Sequence, residues 1–304
     1  MSSDRPVPRL AWFAGLLTAC TYCLVVFGSA VRAHGAGLSC PDWPLCFGKV
    51  IPPINFEVAL EFGHRVLAGS LSIGFIFLAI GVYRRHRSVF PLTVLTAVVL
   101  AIQVILGGLT VLELLAEWTV TSHLLAGNAF AALLLLHAFL LRPPSPRPGD
   151  PAGILQGGAA ALVLILLPLQ LALGGLVSSS GAGLACPSWP DCAAGVWFPT
   201  WTGLVGLQLL HRVVGYSLFA AILAAAVVLR THASGRAALV LAGLTSVQII
   251  IGVSNVFTHI SVEITLLHSA GAAAMVLTTT WMAAQLFTPP AQPPSALPTP
   301  SGAR

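Results

Sequence analysis

The sequence predicts an all-α integral membrane protein of eight transmembrane helices, arranged as two parallel-oriented four-helix bundle repeats. Three observations lead there. Of 304 residues, 57% are hydrophobic and only 8% charged, about a third of the roughly 25% charge that a water-facing domain carries; the mean hydropathy is +0.91. Eight long apolar stretches are separated by charged or Pro/Gly-rich breaks. Four separate motifs recur in one register along the chain. The composition alone excludes a soluble globular protein, a disordered chain and a small secreted disulfide scaffold.

The apolar stretches fall near residues 10–31, 61–83, 91–112, 122–141, 154–177, 206–229, 237–257 and 264–287. Roughly 20 apolar residues span the hydrocarbon layer as a helix, and a helix satisfies its own backbone polar groups where lipid offers no partner. The alternation of a β-barrel is absent. The first stretch shows no clear leader region and no small-residue cleavage pattern, so it is expected as a retained helix. Residues 1–141 are expected as the N-terminal repeat, 142–153 as a proline-rich inner linker, 154–288 as the C-terminal repeat, and 289–304 as a disordered cytoplasmic tail.

Basic residues set the orientation. With the N-terminus inside, the inner segments hold Arg5, Arg9, Arg84, Arg85, Arg87, Arg142, Arg147, Arg230, Arg236 and Arg304, while the outer side holds Arg32, Lys49, Arg65 and Arg212. Seven of nine acids fall outside: Asp42, Glu57, Glu61, Glu113, Glu117, Asp191 and Glu263. Both termini are therefore expected in the cytoplasm. The net charge of +5 follows from this scatter of inner-loop bases, not from a nucleic-acid surface.

The two halves resemble each other. Gly35 to Cys46 (GAGLSCPDWPLC) matches Gly181 to Cys192 (GAGLACPSWPDC) at an offset of 146. His64-Arg65-Val66 matches His211-Arg212-Val213 at 147, while Gln103 matches Gln248 and His123 matches His268 at 145. Each repeat holds an even number of spans, so the repeats point the same way and their pseudo-twofold axis runs along the membrane normal.

Nine histidines are many for a chain so poor in polar groups, and polar residues within spans ask for a function. His64, His123, His211 and His268 sit at the outer ends of the even-numbered spans, two per repeat. Paired imidazoles from different helices of a bundle suit axial ligation of haem iron. One such histidine would be read as an interfacial hydrogen-bonding group; four in register favour ligation. Zinc would need three or four ligands gathered at one site, and the cysteine pairs have no histidine at that spacing. His34, His86, His137, His232 and His259 have no repeat partner. His86 and His232 read as solvated loop residues; His34 and His259, on the outer side, are candidates to assist.

Glu61 lies three residues before His64, on the same helix face. Its counterpart, three before His211, is Gln208. A haem that only relays electrons needs no carboxylate beside it, whereas a reaction that moves protons does. Chemistry is therefore assigned to the N-terminal half and a resident cofactor haem to the C-terminal half. The competing reading of Glu61 is a helix N-terminal charge favoured by the dipole; Glu57, a turn earlier, could assist or lie solvated. Arg65 and Arg212 are candidate partners of haem propionates, or else snorkelling anchors. Cys40–Cys46 and Cys186–Cys192 are six apart in loops on the oxidising face and are expected as disulfides. The second is read as a staple, while the first also has a thiol–disulfide redox role open to it. Cys20 and Cys23 are expected to pack within the first span.

Together, the Glu61-Phe62-Gly63-His64 motif, the further histidines His123, His211 and His268, the outer-loop cysteine pairs and the eight spans resemble the bacterial haem A synthases over residues 10–287. The resemblance implies an enzyme of the cell membrane that oxidises the C8 methyl of haem O to a formyl group by successive hydroxylations, making haem A for terminal cytochrome oxidases. It implies substrate haem between His64 and His123, cofactor haem B between His211 and His268, and Glu61 as the catalytic carboxylate. The implied partners are the lipid bilayer, a haem O synthase as supplier, and an electron acceptor that is a quinone or a thiol–disulfide protein. The alternatives from other classes are a non-catalytic dihaem cytochrome b and a haem carrier.

Overall fold

A computed structural model describes residues 8–143 and 153–287. Eight long helices form in chain order: α1 (Arg9–Ala33), α2 (Phe56–Arg85), α3 (Phe90–Leu112), α4 (Glu117–Leu140), α5 (Ile154–Ser179), α6 (Gly203–Val228), α7 (Gly235–Phe257) and α8 (Val262–Phe287). Each carries a window long and apolar enough to cross a bilayer, and the chain is a multi-pass membrane protein. Most of the expected inner linker (residues 144–152), the expected tail (289–304), and Arg5, Arg147 and Arg304 lie outside the described residues.

Every predicted span is present, but three begin earlier than hydropathy alone suggests. α2 starts at Phe56 because Asn55 caps it, its side-chain oxygen accepting from the Val58 N–H at 2.8 Å. Such caps satisfy one of the free amides of the first turn. α4 and α6 likewise start at Glu117 and Gly203. These earlier starts place His64, His123 and His211 well inside their helices rather than at the ends.

α1 packs along α2 and α4, and α3 along α4; α5 packs along α6, and α7 along both α6 and α8. α1 also meets α8, while α4 meets both α5 and α8, so these four helices form the seam between halves. The arrangement is compatible with two four-helix units. They are not copies in detail: α2 and α3 barely meet, whereas their counterparts α6 and α7 pack closely. Ser29 on α1 hydrogen-bonds Ser269 on α8 across the seam at 2.7 Å. Arg32 Nη1 donates to the Ser178 carbonyl at 2.5 Å, which joins α1 to the end of α5.

The apolar cores occupy the end of each half away from the long loops. One joins Ala11, Ala14 and Leu17 with Phe75, Leu78, Val82, Phe130 and Leu134; the other joins Val163 and Leu167 with Leu218, Ile222, Leu241, Met275 and Met282. His137 lies at this packed end, fully buried, its Nδ1 on the Leu133 carbonyl at 2.8 Å and its Nε2 on Thr93 Oγ1 at 3.0 Å. It is a satisfied core histidine. Cys20 and Cys23, expected to pack, are instead exposed on α1, because the faces that α1 buries run through Ala14, Leu17, Thr18 and Thr21.

Leu134 is fully buried in the first core. Leu134→Ala should lower thermal stability by roughly 1–3 kcal/mol, at or below the soluble range, because lipid-immersed helices lose packing contacts but little hydrophobic transfer energy. Thermal unfolding of the detergent-purified protein measures this.

Candidate functional site

The four histidines stand at matched depths. His64 and His211 come eight residues into α2 and α6, and His123 and His268 six residues into α4 and α8. Each imidazole lies against a glycine of the preceding helix. A Cβ at Gly28 (α1) would come 3.0 Å from His64 Cε1, at Gly107 (α3) 2.9 Å from His123 Cε1, at Gly174 (α5) 3.2 Å from His211 Cε1, and at Gly252 (α7) 3.1 Å from His268 Cε1. Real Cβ atoms rarely come so near, so a side chain at these positions would push the rings aside. Gly28 and Gly174 are related by the offset of 146, and Gly107 and Gly252 by 145. Sequence reasoning missed these glycines, although their register signalled them.

The packed cores stop short of the histidines. Leu167 is seven residues from Gly174 along α5, Leu218 seven from His211, and Met275 seven from His268; in the other half Phe75 is eleven from His64. At 1.5 Å per residue this leaves roughly 10–16 Å of each half between core and histidines. His64 Nδ1 and His268 Nδ1 are buried without a hydrogen-bond partner among the described residues. Unsatisfied buried polar atoms are rare in native folds and mark sites that something else completes. Partnerless imidazole nitrogens, glycine cradles and the end of the apolar core all fit a large, flat, metal-bearing group such as haem in each half. Among the described residues no cluster of three or more His, Cys, Asp or Glu gathers around one point.

The long loops close over this end of both halves, and each is held by an arginine. Cys40–Cys46 and Cys186–Cys192 are disulfide-bonded. Arg65 Nη1 donates to the Asp42 carbonyl at 2.8 Å and to Leu45 at 2.7 Å, and Nη2 to Cys40 at 3.3 Å. Arg212 does the same in its loop, donating to the Asp191, Cys186 and Ser188 carbonyls, each at 3.0 Å. The guanidinium groups that the sequence suggested as propionate partners thus serve loop carbonyls. They turn away from their neighbouring histidines because consecutive helical residues point about 100° apart. Asp42 accepts from the Phe47 and Gly48 amides at 2.6 and 2.7 Å, and Asp191 from Gly195 at 2.6 Å. The Gly195 N–H holds the Asp191 carboxyl below its ordinary pKa. This contribution to the turn is present above the ordinary carboxylate pKa and fades as pH falls through the lowered one.

Glu61 is buried on α2, its Oε1 paired to Arg65 at 2.5 Å and its Oε2 accepting from the Cys40 N–H at 2.8 Å. It therefore links the histidine helix to the disulfide loop. Gln208 in the other half is also buried, and its Nε2 faces the Gly183 carbonyl at 3.4 Å. The loops differ again at their tryptophans. Trp43 lies on Gly108 of α3, where a Cβ would come 3.0 Å from its ring, while Trp189 Nε1 donates to Tyr216 of α6 at 2.9 Å.

The outlying candidates do not join the cluster. Glu57 is exposed on the first turn of α2. His34 is exposed at the end of α1, its Nδ1 on the Ala30 carbonyl at 2.9 Å and its ring edge-on to Phe56. His259 is exposed in a left-handed turn (φ 51°). His232 bonds Ser234 at the start of α7.

Comparison with known proteins agrees with this geometry. A family model described as COX15-CtaA, cytochrome oxidase assembly protein, matches residues 11–59 and 54–280. The chain is 28% identical over 312 residues to the heme A synthase of Shewanella oneidensis, an alignment covering 89% of this chain and 94% of that protein. It is 28% identical to the heme A synthase of Geobacillus thermodenitrificans, over 86% of each chain. To the heme A synthase of Halalkalibacterium halodurans it is 31% identical, over 66% of this chain and 70% of that one.

Arg65→Leu should loosen its loop and speed reduction of Cys40–Cys46 while Cys186–Cys192 keeps its rate; Arg212→Leu should do the reverse. Timed reduction followed by alkylation and mass spectrometry reads both pairs in one sample. Hydrogen exchange at the Gly195 amide should be slow at neutral pH and accelerate, relative to its intrinsic rate, as acidification protonates Asp191.

Proposed function

The chain belongs to the COX15-CtaA family of cytochrome oxidase assembly proteins, and from that premise we propose that it is a haem A synthase, a membrane enzyme of haem A biosynthesis. The observation that carries the reading is the set of four glycine-cradled imidazoles, two per half, with a buried carboxylate one turn before the histidine in only one half, where Glu61 stands against Gln208. The N-terminal half (1–141) takes haem O as substrate between His64 and His123. The C-terminal half (154–288) holds haem B between His211 and His268. The loop end of the bundle is the outer face of the cell membrane, and both termini are cytoplasmic.

The reaction oxidises the C8 methyl of haem O to a formyl group by two hydroxylations, each taking its oxygen from water and releasing two electrons and two protons, and the gem-diol then loses water to the aldehyde. Electrons leave to an acceptor of the quinone or thiol–disulfide class, and a haem O synthase supplies the substrate. When bound, haem B supplies one-electron redox chemistry. The protein's own residues do the rest. His64 and His123 orient the substrate by its iron from two rigid helices. Glu61, bonded to Arg65 and the Cys40 amide, handles protons or stabilises positive charge at the methyl carbon. Arg65 and Arg212 hold the loops down over the two sites, limiting water. Cys186–Cys192 is a staple; Cys40–Cys46, tied to Glu61 through the Cys40 amide, is where a redox partner would act.

Co-expression with a haem O producer, followed by haem extraction and chromatography, tests this reading. The native chain should yield formyl-bearing haem, which neither a dihaem cytochrome b nor a haem carrier would make. His64→Ala and His123→Ala should abolish that product and keep haem B; His211→Ala should lose haem B. Glu61→Gln should lower product formation by roughly 10²-fold or more, and full activity in that variant would remove Glu61 from the chemistry.

A further inference from the structure

The two halves face opposite demands if the haem reading holds: a cofactor must stay, whereas a product must leave. One polar side chain within the spans, used by nothing above, separates them. Gln170 lies on α5, one turn before Gly174. Its Nε2 stands 3.2 Å from His211 Nδ1 and 3.4 Å from Nε2, along the ring edge that rests on Gly174. Gly215, one turn beyond His211 on α6, makes room for it, since a Cβ there would come 3.1 Å from the Gln170 amide nitrogen. Gln170 Oε1 is buried and lacks a partner among the described residues.

At the offset of 146, the counterpart of Gln170 is Leu24. His64, the counterpart of His211, has a buried Nδ1 without a partner among the described residues. In the N-terminal half a glutamine amide meets the other histidine, and in the C-terminal half Gln248 stays off the ring. Gln103 meets His123 through its backbone carbonyl at 3.2 Å from Nδ1 and its Nε2 at 3.4 Å from the ring Nε2; Gln248 donates to the His268 carbonyl at 2.8 Å. Only one of the two histidines that follow the long loops thus has a side-chain amide at its ring.

We propose that Gln170 is a positioning residue of the C-terminal haem site, accepting a hydrogen bond from His211, a role that Leu24 cannot fill for His64. An imidazole that binds iron through one nitrogen carries N–H on the other, and that N–H needs an acceptor. A half-turn of the Gln170 amide exchanges its nitrogen for the partnerless Oε1 at the same place. The bond fixes ring orientation and increases electron donation to the iron, which strengthens ligation and favours the ferric state. Leucine can do neither.

The inference rests on haem binding through His211, so the experiment tests both steps separately on the full-length protein purified with its haem. Gln170→Leu should speed haem transfer to excess apomyoglobin about 10- to 100-fold, the usual effect of losing such a partner, and raise the reduction potential of the haem. Gln170→Glu, which keeps an acceptor, should restore slow transfer and bring the potential back to or below its native value. A mere packing defect would not move the potential in opposite directions for these two variants. If His211→Ala empties the C-terminal half but Gln170→Leu changes neither transfer rate nor potential, the role of Gln170 is wrong and the haem reading stands. If His211→Ala leaves haem content unchanged, the haem reading falls and takes this inference with it.

Discussion

An imidazole inside a bilayer needs both room and a partner, and the contact of each histidine with a glycine on the preceding helix meets the first need. It also fixes the local geometry. With no Cβ at Gly28, Gly107, Gly174 and Gly252, each ring can set its Cε1 edge against the neighbouring helix. Each even-numbered helix is thereby brought close to the odd-numbered helix before it at the loop end. The second need is not met by the protein at His64 Nδ1 and His268 Nδ1. In lipid no water makes up that difference, so the glycines that admit the rings also leave a place for what completes them.

The loops depend on the same helices. Arg65 and Arg212, each next to a histidine in sequence, reach the opposite way and gather three loop carbonyls apiece. A cation near the membrane surface is thus desolvated against backbone dipoles that would otherwise themselves lack donors. Glu61 adds a charge to this frame only in the N-terminal half, where its two oxygens bond Arg65 and the Cys40 amide. Substituting Gln208 at the counterpart keeps the shape and removes the charge. One frame therefore supports either a neutral cap or a charged one, and the choice is made at a single residue.

Much of this was legible in the sequence. The spans follow from apolar length, the disulfides from spacing and compartment, and the histidine set from its register. What escaped falls into kinds with different physical causes. Helix starts at Phe56 and Glu117 were hidden because an acidic residue in the first turn lowers hydropathy while a cap such as Asn55 extends the helix. The loop carbonyls that Arg65 and Arg212 hold were hidden because backbone partners leave no mark in a side-chain pattern. The exposure of Cys20 and Cys23 was hidden because a lipid-facing side and a packed side of a spanning helix are equally apolar. The glycine cradles and Gln170 were visible in principle, since the offset that pairs the histidines also pairs Gly28 with Gly174 and sets Leu24 against Gln170.

The repeat is thus most informative where it fails. Gly28/Gly174, Gly107/Gly252 and the four histidines agree and describe a common cradle. Glu61/Gln208, Leu24/Gln170 and Arg32/Ser178 disagree, and each disagreement changes a polar group while leaving the helix frame intact. The last pair meets directly: the Arg32 guanidinium donates to the Ser178 carbonyl at 2.5 Å, one turn beyond Gly28 and Gly174. Had both positions been arginine, two like charges would face each other in a low-dielectric seam, at a cost that no nearby acid offsets. With serine on one side, the carbonyl of residue 178 has one charge to receive, and the bond joins α1 to the end of α5. The departures from the repeat thus fall at polar positions along these helices, while the glycines and histidines among them keep the register.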